Sequence, residues 1–143
     1  MTRAGWQQVL DRHAELFAET AEGASVAIVP RFARDADGRQ RPVVMPVSEP
    51  LPMLLWLREP AAMLVRDAEF RGLKGLVSDL LLIAGEGSLE ESLAHERPFS
   101  ELKRQLRSGR ILFMVMRTRD ELRERGWGDF IESLGLPFLG TCR

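Results

Sequence analysis

Arg110-Ile111-Leu112-Phe113-Met114-Val115-Met116-Arg117 carries the strongest strand signal in the chain, an unbroken apolar run between two arginines. A continuous apolar centre reads as a strand buried on both faces. The expectation therefore places it in the middle of a small sheet. Thr118-Arg119-Asp120-Glu121 follows at once and has the S/T-x-x-E spacing of a capping box. It predicts a helix ending at Gly126, with Trp127, Phe130, Ile131 and Leu134 forming a further amphipathic turn or two. Upstream, Pro98-Phe99-Ser100-Glu101-Leu102 opens a helix that buries Phe99, Leu102 and Leu106 and stops near Gly109. Ser88-Leu89-Glu90-Glu91 is a second capping box and predicts a short helix towards His95.

Nearer the N-terminus, Trp6, Val9, Leu10, His13 and Phe17 recur at helical spacing and predict one amphipathic helix stopping at Gly23. Ser25–Phe32 is β-branched and partly alternating. Asp35-Ala36-Asp37-Gly38 is a turn sequence, and Pro42–Val47 reads as the return strand of a hairpin. Pro30, Pro42 and Pro46 lack amide donors and predict an edge or a bulge there. Met53-Leu54-Leu55-Trp56-Leu57 suits a strand and a buried helix equally. Glu59-Pro60-Ala61-Ala62 predicts a helix opening that runs towards Phe70, and Leu73, Leu76, Val77, Leu80, Leu81 and Ala84 predict another, closed by Gly85. The sum is one α+β domain over residues 1–143, with a partly antiparallel sheet of three to four strands covered on one face by helices.

Composition narrows the functional classes. The chain has 143 residues, of which 45% are apolar, 29% charged and 7% aromatic, with a formal net charge of -1. That balance excludes wholesale disorder and a generally basic nucleic-acid coat protein. The N-terminus lacks a secretory apolar core, and the longest apolar run, Leu80–Ala84, is far below the roughly 20 residues that span a bilayer. The expected setting is cytoplasmic, without membrane contact. No G-x-S-x-G elbow, phosphate loop, H-E-x-x-H or C-x-x-C occurs, and one cysteine with two histidines is a poor stock for zinc. No cofactor and no metal are expected. Cys142, beside the C-terminal residue, reads as incidental, His13 as a packed histidine, and Gly85-Glu86-Gly87 as a plain loop whose neighbouring glutamates would repel phosphate.

Charge segregation is the strongest non-random feature. Residues 75–96 hold Asp79, Glu86, Glu90, Glu91 and Glu96 without a Lys or Arg. Residues 97–125 hold nine basic residues against four acidic ones, a net +5. Lys103, Arg107 and Arg110 can lie along one side of a helix and its exit, with Arg104 adjacent. Such stretches contact an acidic partner or phosphates, or face each other within the fold. Met45, Met53, Met63, Met114 and Met116 add a soft apolar element that serves a core or an adaptable surface. An edge strand or the apolar tail Leu136-Pro137-Phe138-Leu139 can complete a dimer.

The leading functional expectation is a non-catalytic protein-interaction module: an adaptor, a regulatory subunit, or an inhibitor or immunity-type partner. It would act through its acidic and basic surfaces, with Lys103, Arg104, Arg107, Arg110 and Arg117 as partner- or anion-binding candidates. One alternative is a small-molecule-binding protein or enzyme with a dispersed Arg/Glu site, in which Arg31, Arg58 and Arg117 clamp an anion. The other is nucleic-acid binding through the basic stretch.

Overall fold

The computed structural model describes residues 3–34, 37–42 and 50–136. In chain order the elements are α1 (Arg3–Arg12), β1 (Ser25–Pro30), β2 (Phe32–Arg34), β3 (Gln40–Pro42), β4 (Leu51–Arg58), β5 (Met63–Phe70), β6 (Leu80–Ala84), α2 (Ser88–Ala94), α3 (Pro98–Ser108), β7 (Ile111–Val115), α4 (Arg119–Glu124) and α5 (Gly128–Ser133). Short 3-10 turns occupy Ala14–Phe17 and Leu73–Gly75. Among the described residues the strands form a five-stranded sheet in the order β5-β4-β1-β6-β7 and a separate two-stranded ribbon, β2-β3. The class is α+β, with one to two strands more in the main sheet than the composition of elements led us to expect.

β1 lies at the centre, antiparallel to β4 and parallel to β6. Its side chains alternate between two apolar clusters, as the pleat requires. Val26 and Ile28 join Leu54, Trp56, Leu80 and Leu82 beneath the helices, which add Trp6, Leu10, Phe99, Leu102, Leu122 and Phe130. Ala27 and Val29 face the other way, with Met53, Phe70, Leu81 and Ile83, partly covered by Leu73 and Leu76. The α-helices therefore sit on one face, as expected.

Three expectations are corrected. Residues 63–70 and 80–84 are strands, where the spacing predicted helices. Glu59-Pro60-Ala61-Ala62 is the tight turn of the β4–β5 hairpin, closed by Glu59 N–H donating to the Ala62 carbonyl at 2.9 Å. All eight residues of β5 register against β4, and that placement buries Met63 and Val65 beneath the helices and Phe70 on the opposite face of the sheet. Finally, β7 is an edge strand and not the centre of the sheet. The run buried on both faces is Leu80–Ala84. An apolar run need not be buried, because apolar side chains are common on protein surfaces.

Other details shift locally. The first helix stops at Arg12, and the chain continues through the Ala14–Phe17 turn, with His13 packed edge-on to Phe99 at 4.9 Å. Of the expected hairpin only the short β2–β3 ribbon forms among the described residues, with Phe32 opposite Pro42 and Arg34 opposite Gln40; Ser25–Pro30 pairs instead with β4 and β6, so Pro30 ends a central strand and not an edge. Its expected return strand over 43–47, Met45 included, lies outside the described residues, as do the tail from 137 and Cys142. The Thr118 capping box forms as predicted. The Ser88 box does not: Gly87 occupies the cap position, and the buried Ser88 hydroxyl donates to the Gly85 carbonyl at 2.7 Å.

Strand placement sets the cost of truncation. Leu82→Ala, in the centre, should destabilise by about 2–5 kcal/mol, whereas Val115→Ala on the edge should change stability by no more than about 0.5 kcal/mol. Equilibrium urea unfolding of both variants checks this; equal costs would place β7 in the interior.

Candidate functional site

β7 begins where α3 ends. Gly109 takes φ +83, a left-handed conformation that suits glycine, and Arg110 N–H donates back to the Gln105 carbonyl at 3.0 Å. The chain reverses there and runs antiparallel to β6. Two bonds bracket the ladder: Gly85 N–H to the Arg110 carbonyl and Met116 N–H to the Asp79 carbonyl, both 2.8 Å. Alternation then turns the backbone groups of Leu112 and Met114 towards β6 and those of Ile111, Phe113 and Val115 outward. Among the described residues nothing bonds that outward row. Around it the surface is apolar, with Leu112, Met114 and Val115 exposed at 39%, 37% and 52%.

The opposite edge is closed. The Gln7 side chain lies along β5, accepting from Val65 N–H at 2.8 Å and donating to the Met63 carbonyl at 2.9 Å. Its amide thus stands in for a neighbouring strand. Arg66, Asp67 and Glu69 add exposed charges that blunt the rest of the edge. Nothing in the sequence pointed to Gln7, since a polar residue beside the apolar stripe of a helix has no distinctive spacing.

The acidic and basic stretches face each other inside the fold. Asp79, with 1% of its side chain exposed, is the hub. It accepts from Arg117 Nε at 2.9 Å, Arg125 Nε at 2.8 Å and the Trp127 indole N–H at 2.9 Å. Burial pushes its pKa up, but these three donors outweigh burial and hold it below the usual carboxylate value. Arg110 pairs with Glu91 and donates to the Glu86 carbonyl. Arg104 makes a two-pronged contact with the buried Glu101, at 2.9 and 2.7 Å, and Gln105 donates to the same carboxylate at 2.7 Å. Lys103 lays its aliphatic stem against Gly135. Arg107 is exposed and has no ion-pair partner among the described residues.

So three of the five candidate residues, Arg104, Arg110 and Arg117, are matched by acids of the same chain, and the five do not form a free cationic patch. Arg31 donates to the Gly109 carbonyl at 3.1 Å and sits over the Phe32 ring. His95 has its Nδ1 lone pair taken by Arg97 N–H at 3.0 Å and its Nε2 3.9 Å from Glu101. Among the described residues no group of three or more His, Cys, Asp or Glu is placed to hold a metal, and no helix is long and apolar enough to cross a membrane.

Compared with known proteins, the chain matches no family model, no curated protein and no solved structure.

Two outcomes follow from the charge network. Asp79→Asn leaves two arginines facing a neutral amide and should cost about 2–4 kcal/mol in chemical unfolding, reduced from a full buried-charge loss because both arginines keep partial solvent contact. Glu101 titrates at about 2, because the Arg104 and Gln105 bonds hold its carboxylate well below the usual 4.5. Its contribution is then complete above the ordinary value and is lost as pH falls from there towards 2. Acid unfolding of Glu101→Gln should show a flatter limb across that window than the parent chain; identical limbs would remove Glu101 from the acid response.

Proposed function

We propose that this chain is a protein-interaction module, of the adaptor, regulatory-subunit or inhibitor kind, that takes up an extended segment of a protein partner as an added strand beside β7. The observation that carries this reading is the asymmetry of the sheet. One edge is closed by Gln7 and exposed charges, and the other presents an outward row of backbone groups, unbonded among the described residues and flanked by Leu112, Met114 and Val115. Strand addition uses such a row for affinity and the alternating side chains for selectivity.

The partner segment follows from the surroundings of β7. Five residues of strand accept an extended stretch of about 17 Å. Apolar side chains at alternate positions would meet Leu112 and Met114. Arg107 ahead of the strand and Arg119 after it are exposed and lack ion-pair partners among the described residues, so acidic residues at both ends of the segment complete the match. In this reading the segregated charge has two parts: most of it fastens the fold, and the unpaired arginines guide the partner. We place the module in the cytoplasm.

The test is affinity purification from the host with the full chain, followed by titration of the recovered partner against Leu112→Lys/Met114→Lys. Charges on an edge oppose pairing without touching the β6 ladder. A loss of affinity of roughly tenfold or more, with unchanged thermal unfolding, is expected. Undiminished binding, the absence of any partner, or a stable homodimer through β7 in light scattering would each contradict the proposal.

A further inference from the structure

β1 and β6 are parallel neighbours, and their connections part at their carboxyl ends, one into the β2–β3 ribbon and the other into α2. Crevices at such diverging strand ends are where open sheets hold small ligands. A hollow of about 350 Å³ opens there, within the range of small-molecule sites. Ala84 and Leu89 form an apolar wall, and Phe32, an aromatic exposed at 46%, stands at the rim.

Among the described residues no ion pair joins the charges that line this hollow. Arg31 borders it with one guanidinium nitrogen bonded to the Gly109 carbonyl, and it has no carboxylate partner among the described residues. Glu86 and Glu90 border it as well, and neither side chain has a cationic partner among the described residues, although Glu91 next to them holds Arg110. The turn that carries Glu86 is rigid. Gly85 N–H is bonded to the Arg110 carbonyl, a Cβ at Gly85 would stand 2.8 Å from that oxygen, and the buried Ser88 hydroxyl closes the turn from below. Arg31 and the two glutamates are thus held around the hollow without neutralising one another.

We infer that this hollow binds a small zwitterion with a carboxylate at one end and an ammonium or guanidinium at the other, the chemistry of a basic amino acid. The carboxylate meets the free donors of Arg31, which suit a planar anion. The cation meets Glu86 and Glu90. A purely anionic ligand would face two carboxylates, and a purely cationic one would face Arg31, so both charges are required. This site is independent of the β7 edge.

L-arginine and L-lysine are the probes, titrated calorimetrically into the full chain beside glutarate and cadaverine, which each lack one half of the match. Binding of a basic amino acid at one site per chain is expected, weakened roughly tenfold or more by Arg31→Gln and by Glu86→Gln/Glu90→Gln. The glutamate variants change exposed side chains, so they separate loss of binding from loss of fold, and thermal unfolding verifies this. Leu112→Lys/Met114→Lys should leave this binding intact. No binding of either probe up to about 10 mM, equal binding of cadaverine or glutarate, or binding that survives both sets of variants would overturn the inference.

Discussion

A carboxylate inside a protein is tolerated only when donors replace the water it has lost, and Asp79 receives three of them. Each comes from a different part of the C-terminal third: Arg117 from the end of β7, Arg125 from the end of α4 and Trp127 from the start of α5. The same residue joins the sheet through its backbone, with its N–H donating to Ser25 and its carbonyl accepting from Met116. Asp79 therefore fixes where β7 leaves the sheet and where α4 and α5 return to it. Trp127 in turn packs on Phe17 and Phe130. The Arg125 carbonyl accepts from Ala21 N–H at 2.8 Å, which brings the segment after α1 against the α4–α5 turn. At that junction Gly126 has φ +81, and a Cβ there would overlap the Glu19 carbonyl. The N-terminal helix, the sheet and the last two helices thus share one buried charge and its partners.

Where structure follows from short-range chemistry, the sequence was legible. The Thr118 capping box, Pro98 at a helix start and Gly109 at a helix end act within a few residues, and all three do what their chemistry dictates. Leu73, Leu76, Leu80 and Leu81 were misread because their spacing suits a helix, while the bonds that make 80–84 a strand come from β1 and β7, far away in the chain. Met63–Phe70 has the same history, since only the register with β4 distinguishes it from a helix. Charge segregation was visible in the residues, but what the charges faced was not. Asp79 beside an apolar run was the one signal of a buried hub, and arginines from two later elements had to reach it before it meant anything. The role of Gln7 left no trace in the pattern at all.

The two edges of the sheet are treated differently by physics that is local to each. At β5 a side-chain amide supplies the missing backbone partner, and charges discourage further pairing. At β7 the ladder ends on apolar residues, while the arginines at both ends of the strand, Arg110 and Arg117, are bound to acids of the same chain. An open edge is a hazard unless something uses it, and the fold spends its charges on its own integrity and leaves the edge apolar. On the proposed reading, that combination separates a strand-adding surface from an electrostatic one and puts the recognition chemistry in the backbone of β7.

Amide hydrogen exchange along β7 of the free chain, read residue by residue by NMR, measures this directly. Slow exchange at Leu112 and Met114, fast exchange at Ile111, Phe113 and Val115, and protection of Val65 beneath Gln7 is the predicted pattern. Uniform protection along β7 would show its outer edge already paired and would contradict the account.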